Sequence, residues 1–564
     1  MIAGNIVGGM ISPPAERTAR RVARRRRTAV MLAAVVLLIA DLLVAAVGGV
    51  GGAHRHHGPV VGVDPAPGST TSAPVTTVRP TTTLKAVVPT TARPVATPAP
   101  AAASGSVPVT TGAPASPSCV QSACVTLDGS SAIGTVSHPG SGFNFLPGGP
   151  TSVSQLTMVG MNMFRATPGT NGPSTSFDHL NWSNWDAAVQ SGAQTTLLLS
   201  DLWVQLHPGG PPPTPWSDWN TYNQWVKSTV QGIVQSGHRI DYWDVYNEPG
   251  WNNYYSHSDF ESETVSDLLQ QFLVTYQDIK AVDPGARIIG PSVGDTAFTP
   301  HPTDDPVTHE PDMTTFLDFA AAHHLQLAAV AWHHNGQTPA QIQALAAQVW
   351  QLVRSLPALG NPQMFLDEYG SRADQSIPGW DVGFLAAITN GGISSAVRSC
   401  WDDCLVASAD GLLPDDGAGK TSEYYERVVY ASMSGVMIKA TSTSSQVAAL
   451  ASRSSSGQQM TALIGRLVGC AVASWCQSGW GQAGAKPVAP APIGVSVVLP
   501  WSTANTHINL SYEPFTPGAN SSGPIATQAV DPTIHPDGAG HEVLSFVIPN
   551  FADGSAYNLT LSPA

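Results

Sequence analysis

Short apolar runs alternate with longer segments of helical periodicity between residues 142 and 429. The apolar runs cover residues 142–145, 156–166, 194–201, 240–248, 287–292, 327–334, 364–368 and 393–401. Strands that alternate with helices are typical of a parallel sheet with crossover helices. Eight such runs in succession predict a (β/α)8 TIM barrel, in which they become predicted strands 1 to 8.

The segment after about residue 428 has a different pattern. Thr, Ser, Val and Ala residues alternate there, and Gly and Pro mark the turns. This pattern predicts a C-terminal β-sandwich over residues 429–564, packed on the barrel domain of residues 119–428. We expect a strand near Cys124 to Leu127 to complete the sandwich.

The N-terminus carries an export pattern. Residues 1–27 are rich in arginine, and residues 28–50 are apolar apart from Asp41. As a helix, the apolar segment spans roughly 34 Å, enough to cross a bilayer core of about 30 Å. The arginines place residues 1–27 in the cytoplasm. We therefore expect the rest of the chain on the extracellular face of the cell membrane, held by a single-pass anchor, or secreted after cleavage of a signal segment. Both alternatives stay open.

Residues 51–118 consist mainly of Pro, Thr, Ala, Ser and Val, with few large apolar side chains. Such a stretch buries too little apolar surface to offset its ordering entropy. It is therefore predicted to be a disordered linker.

Charge narrows the expected partners. The chain has 39 Asp and Glu residues against 25 Lys and Arg, a formal net charge of −14. A basic footprint for nucleic acid is absent, so no nucleic-acid partner is expected. A neutral substrate fits better than a polyanion, which the net charge repels.

Six cysteines fall in three near-neighbour pairs along the chain. The pairs are Cys119 with Cys124, Cys400 with Cys404, and Cys470 with Cys476. Outside the cytoplasm, such pairs predict local disulfides, although the sequence leaves other pairings open. No His lies at zinc-ligand spacing from them, and no HExxH cluster appears, so neither a metal nor a cofactor is expected.

Two glutamates close predicted strands of the barrel. Glu248 ends strand 4 in WDVYNEPG, and Glu368 ends strand 7 in MFLDEYG. Barrel enzymes carry catalytic groups at the C-terminal ends of the strands, so both carboxylates are expected at one rim. Retaining hydrolysis of a glycosidic bond needs one carboxyl to protonate the leaving oxygen and another, about 5–5.5 Å away, to attack the anomeric carbon. We predict Glu248 as the acid/base and Glu368 as the nucleophile.

The chain resembles clan A glycoside hydrolases and is most similar to family 39, which includes β-xylosidases and α-L-iduronidases. The similarity is strongest from IDYWDVYNEPGWNN through YQDIKAVDPGARIIGPSVG. The resemblance implies a polysaccharide or oligosaccharide substrate. It also implies that Arg165 holds the nucleophile carboxylate, that Asn247 hydrogen-bonds the sugar 2-hydroxyl, and that Trp401 forms the floor of the sugar site.

Strand 6 departs from the family pattern. His333 in WHHNG falls on a family histidine and is a candidate substrate-binding residue, whereas Asn335 stands where the family has a tyrosine. This departure leaves the sugar open. Trp203, Trp251 and Trp332 are further candidates, because aromatic faces stack on sugar rings.

The expected mechanism assigns a protonation state to each glutamate. Burial and the charge of Glu368 should keep Glu248 protonated. Arg165 and a hydrogen bond from the strand 6 side chain should keep Glu368 ionised.

Other functions use the same features. A carbohydrate-binding protein of the cell envelope that has lost turnover is one alternative. A transglycosylase, which uses a sugar acceptor in place of water, is another. A metal-dependent hydrolase is disfavoured because His333 and His334 are adjacent on a strand and should point to opposite faces.

Overall fold

The computed structural model describes residues 121, 123–144, 152–166, 182–205, 214–249, 264–294, 311–335, 338–370, 377–399, 412, 420–467, 488–502, 508–516, 520–521, 528–529, 532–537 and 540–563. The predicted cytoplasmic, membrane and linker segments lie outside these residues and stay predictions. Within the described part of the chain, no helix is long and apolar enough to span a membrane.

Eight parallel strands close into a barrel, which confirms the predicted fold class for this part of the chain. The first strand within the described residues, β1 (Cys124–Thr135), belongs to a second sheet. The barrel strands are β2 (Gly142–Phe143), β3 (Met163–Ala166), β4 (Gln194–Leu198), β5 (Tyr242–Asp244), β6 (Ile288–Val293), β7 (Ala329–Asn335), β8 (Gln363–Gly370) and β9 (Ser395–Arg398). Pairing of β2 with β9 closes the ring.

Several of the predicted strand boundaries were wrong, and three of them affect the description of the site. Residues 156–158 belong to a helix. A turn at Gly160, with φ of +63°, separates this helix from β3. β4 ends at Leu198, and Asp201 lies in the following helix. β5 ends at Asp244, so Glu248 stands four residues beyond its strand.

The described helices surround the barrel. They are α1 (Val153–Met158), α2 (Trp182–Ser191), α3 (Ser200–Gln205), α4 (Trp219–Ser236), α5 (Val265–Val282), α6 (Met313–Ala322), α7 (Pro339–Ser355), α8 (Pro378–Asn390) and α9 (Ser422–Ser432). Local signals set their ends. Thr264 and Asp267 form a capping box at the start of α5, and Gly237 ends α4 with φ of +78°. Such caps satisfy backbone groups that have no partner inside the helix.

Alternate residues of the strands point into the barrel and form layers. One apolar layer includes Met163, Tyr242, Ala331 and Phe365, all buried. Two residues further along the same strands lie Arg165, Asp244, His333 and Asp367, also buried. Because side chains two apart share a face of a strand, a charged layer lies directly above the apolar one, towards the C-terminal rim.

A separate mixed sheet holds ten strands of the described residues, in the order β17-β15-β20-β13-β12-β11-β1-β14-β19-β18. Their bounds are β11 (Val436–Ser442), β12 (Val447–Arg453), β13 (Met460–Arg466), β14 (Ala491–Val498), β15 (Ile508–Phe515), β17 (Gln528–Ala529), β18 (Thr533–Pro536), β19 (Glu542–Phe551) and β20 (Ala556–Pro563). The short strands β10 (Lys420–Thr421) and β16 (Asn520–Ser521) pair separately. This arrangement fits the predicted β-sandwich, and β1 joins it between β11 and β14.

The sheet packs against helices α8 and α9 of the barrel. Val382 and Leu385 of α8 share a buried cluster with Leu450 and Leu463 of the sheet. The Gly379 backbone N–H donates to the Gly554 carbonyl oxygen at 2.7 Å. A Cβ atom at Gly379 would lie 2.2 Å from the Arg466 carbonyl oxygen, so this contact depends on glycine.

Candidate active site

Glu248 and Glu368 lie at the same rim of the barrel. Their side chains are partly exposed, 24% and 22%, so a substrate can reach both carboxylates. Glu248 has φ of +48°, which is uncommon for a residue other than glycine. Its backbone N–H donates to the Ser292 carbonyl oxygen at 3.0 Å, and Ser292 itself has φ of +52°. Residues held in this region cluster at functional sites, where the surrounding structure fixes them.

His333 lies between the two glutamates. Its Nδ1 atom is 2.7 Å from Glu248 Oε1 and 3.6 Å from Glu368 Oε2. Burial alone would lower the pKa of His333, but the charges of the surrounding carboxylates raise it to about 9. The ring is therefore an imidazolium at neutral pH, and its hydrogen bond goes to Glu248. The expectation that a side chain of strand 6 hydrogen-bonds Glu368 stays a prediction.

Arg165 lies below the two glutamates and contacts both Glu368 and Asp244. Its Nη1 atom is 3.4 Å from Glu368 Oε2, and its Nε atom donates to Asp244 Oδ2 at 3.0 Å. Burial would lower its pKa, but the nearby carboxylates raise it above the ordinary value. Arg165 is thus a permanent cation at Glu368, in the position predicted for it.

Asn247 is oriented by the same guanidinium group. Arg165 Nη2 donates to Asn247 Oδ1 at 3.0 Å. A guanidinium group only donates hydrogen bonds, so the atom that faces it must be the amide oxygen. The amide NH2 group of Asn247 then points away from the guanidinium group as a hydrogen-bond donor.

Ser292 connects two buried carboxyl groups below the glutamates. Its Oγ atom is 2.8 Å from Asp244 Oδ1 and 2.6 Å from Asp367 Oδ2. Arg165 Nε lies 3.6 Å from Asp367 Oδ2, and His333 Nε2 lies 3.7 Å from Asp367 Oδ1. These three residues were not predicted as site residues. Asp244 and Asp367 occupy inward strand positions beneath the rim, and that period-two alternation was the signal for them.

The pKa of Glu368 is raised from its ordinary value. Burial is the main cause, and the charge of Glu248 adds to it, whereas His333 and Arg165 lower the pKa.

The predicted tryptophans have different outcomes. Trp203 is 4% exposed, and its ring packs against Tyr222 and Trp225 with centroid distances of 5.3 and 5.1 Å. It is a core residue, which corrects its prediction as a sugar-stacking residue. Trp332 is also fully buried in the core. Trp251 and Trp401 lie outside the described residues and stay predictions.

The predictions for metal binding and for disulfides concern the histidines, carboxylates and cysteines of the chain. Within the described residues, no group of three or more His, Cys, Asp or Glu side chains is arranged to hold a metal ion. Cys124 is disulfide-bonded. The other cysteines lie outside the described residues, so the three pairings stay predictions.

The chain is similar to known proteins in its structure. No family model matches the chain, and no curated protein matches it by sequence. A structure of N2152 from Neocallimastix frontalis covers 78% of this chain and 100% of its own, with a TM-score of 0.56 and 18% identity. A GH39 enzyme from Xanthomonas axonopodis pv. citri covers 78% of this chain and 97% of its own, with a TM-score of 0.53 and 16% identity.

A monomeric beta-xylosidase from Caulobacter crescentus is similar over 78% of this chain and 99% of its own, with a TM-score of 0.54 and 13% identity. The chain therefore shares the fold of these proteins. The resemblance predicted from the sequence is confirmed at the level of the fold.

Proposed function

We propose that the protein is a retaining glycoside hydrolase that cleaves O-glycosidic bonds of a polysaccharide or oligosaccharide. Glu248 is its acid/base and Glu368 its nucleophile. The observation that carries this proposal is the position of His333 Nδ1, 2.7 Å from one glutamate and 3.6 Å from the other. Both carboxyl groups therefore approach one ring nitrogen, as expected for the close pair of carboxyl groups, about 5–5.5 Å apart, of a retaining enzyme.

In the first step, Glu248 donates its proton to the leaving oxygen while a Glu368 oxygen bonds to the anomeric carbon. The bond between that carbon and the leaving oxygen breaks, and its electron pair stays with the oxygen. Arg165 supports this assignment, because its permanent charge contacts Glu368 and favours the ionised form of that carboxyl.

In the second step, Glu248 removes a proton from a water molecule whose oxygen attacks the same carbon. The bond to Glu368 breaks, the sugar is released with its original configuration, and both carboxyl groups return to their starting states. The His333 imidazolium donates to one oxygen of Glu248 and leaves the other for the proton, so it strengthens Glu248 as an acid.

Hydrolysis of aryl glycosides tests the proposal. The panel comprises β-xyloside, β-glucoside, α-L-iduronide, and α- and β-arabinofuranosides. Glu368→Ala should lose turnover and regain it with azide, which gives a product of inverted configuration. Glu248→Ala should keep most of its turnover on substrates with very good leaving groups. Asp318→Ala, which removes an exposed carboxylate of α6, is the control and should match the wild type.

The alternatives give different outcomes. A transglycosylase has the same variant pattern but releases product mainly when a sugar acceptor is added. A catalytically silent binding protein hydrolyses none of the glycosides or cell-wall polysaccharides, and full activity in both glutamate variants would refute the assigned roles.

The location is part of the proposal. The arginine-rich N-terminus, the apolar segment of residues 28–50 and the disulfide at Cys124 support a site of action outside the cytoplasm. Tethering at the membrane and secretion both agree with these features. Fractionation of cells followed by detection of the intact and shortened chain separates the two.

A further inference from the structure

The contacts of Ser292 require a protonated carboxyl group other than the two proposed catalytic glutamates. The Oγ atom lies within hydrogen-bond distance of a carboxyl oxygen of Asp244 and one of Asp367. A hydroxyl group carries one hydrogen and can donate it to only one of them. The second contact is a hydrogen bond only if the other carboxyl is protonated and donates to Ser292.

The geometry indicates which carboxyl carries this proton. The contact of Ser292 with Asp367, 2.6 Å, lies in the range for a hydroxyl donating to an ionised carboxylate, roughly 2.5–2.7 Å. The contact with Asp244 is longer, 2.8 Å. Arg165 donates to the other oxygen of Asp244, Oδ2, and leaves Oδ1 for the proton.

From these contacts we infer that Asp244 is a protonated positioning residue that donates to Ser292, which in turn donates to an ionised Asp367. Asp367 then serves as counter-charge to His333, whose Nε2 atom faces it at 3.7 Å. Within the described residues, neither His333 Nε2 nor Asp367 Oδ1 has a hydrogen-bond partner. The inferred proton lies on Asp244, at one end of a chain of contacts that leads through Ser292, Asp367 and His333 to Glu248.

The charges of the site support this assignment. Two cations, Arg165 and His333, face four carboxyl groups, and the aspartates and both cations are fully or almost fully buried. With all four carboxyl groups ionised, the cluster carries two uncompensated negative charges, and burial makes such charges costly. Protons on Glu248 and Asp244 leave two anions for the two cations, and the cluster is neutral.

Titration behaviour agrees with the geometry. Burial raises the pKa of Asp244 to about 7, and the charge of Asp367 contributes, whereas Arg165 lowers it. The groups that face Asp244 come from three strands: Arg165 on β3, Ser292 on β6 and Asp367 on β8. Glu248 and Glu368 lie at the rim above this layer, so deprotonation of Asp244 adds a negative charge beneath both glutamates.

Infrared spectroscopy with 13C-labelled aspartate tests the proton directly. Wild-type protein should show the C=O band of a protonated carboxyl group that shifts with the aspartate label and disappears as the pH rises through about 7. The band should be absent from Asp244→Asn. Absence of the band in the wild type, or its persistence in Asp244→Asn, would overturn the inference.

The two aspartates should also differ in kinetics, and this second test rests on the proposed function. Asn at position 244 can accept from Arg165 and donate to Ser292, as the protonated acid does, whereas Asn at 367 removes a charge beside His333. Asp367→Asn should lower kcat/KM by about 10²-fold, as displacement of a catalytic group does, and by at least about tenfold more than Asp244→Asn. Asp244→Asn should also remove an alkaline transition from the pH profile of kcat/KM.

Equal losses in the two asparagine variants, or a larger loss in Asp244→Asn, would refute the assigned positions of charge and proton. Ser292→Ala separates the roles further, because it removes the hydroxyl between the two carboxyl groups and should shift the transition without removing the titrating group. The infrared experiment needs no substrate. A protein without glycosidase activity that still shows the band would fail the proposed function and keep this inference.

Discussion

His333 and His334 are neighbours on β7, and their pKa values are shifted in opposite directions. His333 points into the barrel at the carboxyl groups of Glu248, Glu368 and Asp367, and its pKa is raised to about 9. His334 points away from the barrel axis, and its Nε2 lies 3.2 Å from the Thr338 carbonyl oxygen. Burial lowers the pKa of His334 to about 4. The alternation of side chains along a strand thus separates a charged from a neutral histidine.

The charge on His333 should stabilise the fold in acid and neutral solution. Its folded-state pKa lies above the ordinary value of 6.5, so its contribution is fully present below pH 6.5 and is lost as the pH rises through about 9. The difference in unfolding free energy between wild type and His333→Gln should therefore shrink across this range. Urea unfolding at several pH values measures it, and a difference independent of pH would contradict the charge assignment.

His334 should have the opposite effect. Its folded-state pKa lies below 6.5, so its contribution is present above pH 6.5 and is lost as the pH falls through about 4. The unfolded chain takes up a proton that the native chain excludes. His334→Gln should flatten the acid limb of the curve of unfolding free energy against pH, and an unchanged slope would show that His334 is not buried in its neutral form.

The roles of these two histidines could be predicted only in part, because a sequence gives the order of residues along the chain and not their positions in space. The eight strands and the two glutamates follow from apolar runs and the residues that close them, whereas Arg165 was predicted from the family resemblance. Asp244 and Asp367 were missed because they lie inside runs interpreted as apolar strands, and only closure of the barrel brings them to Ser292. Trp203 was misassigned because an aromatic residue near a strand end is equally suited to the core.

Arg165 should be irreplaceable by lysine. It contacts Asp244, Asn247 and Glu368 at once, and a lysine ammonium group cannot reproduce this planar set of donors. Arg165→Lys should reduce kcat/KM by about 10²-fold, through loss of position at Glu368. The matched control is Arg239→Lys, in an exposed pair with Asp241 at 2.9 Å, for which the stability change should stay within about 1 kcal/mol.

Circular dichroism and steady-state kinetics on both variants provide the readouts. Loss of activity in folded Arg165→Lys, with none in Arg239→Lys, is the expected result. Full activity in Arg165→Lys would mean that charge alone suffices at Glu368.

Gly379 should be required where α8 meets the second sheet. A Cβ atom there would lie 2.2 Å from the Arg466 carbonyl oxygen and 2.7 Å from that of Ser555, both backbone atoms. Gly379→Ala should therefore destabilise the fold by about 1–3 kcal/mol, as overpacking does. At Gly134 a Cβ would meet nothing within 4 Å, so Gly134→Ala should be nearly neutral. Thermal unfolding distinguishes them, and equal melting temperatures would mean that α8 shifts freely relative to the sheet.

Asp381 should hold a second buried charge cluster between the barrel and its outer helices. Arg398 Nη1 lies 3.2 Å from Asp381 Oδ1, and Arg427 Nη2 contacts the same oxygen. Burial raises the pKa of Asp381, but the charges of the two arginines together lower it by more. The pKa therefore lies below the ordinary value of 3.8. Its stabilisation is therefore present above pH 3.8 and is lost as the pH falls below it.

Asp381→Asn leaves two buried guanidinium groups short of a counter-charge, which should cost about 3–5 kcal/mol at neutral pH. The variant should lose less stability than the wild type on acidification, because it has no carboxylate to protonate at this position. Asp128→Asn, at a partly exposed carboxylate of β1 that accepts hydrogen bonds from the backbone and hydroxyl of Ser130, is the control and should change stability little. A loss in Asp381→Asn no greater than in Asp128→Asn would show that Arg398 and Arg427 are compensated by Glu423 and Glu426 instead.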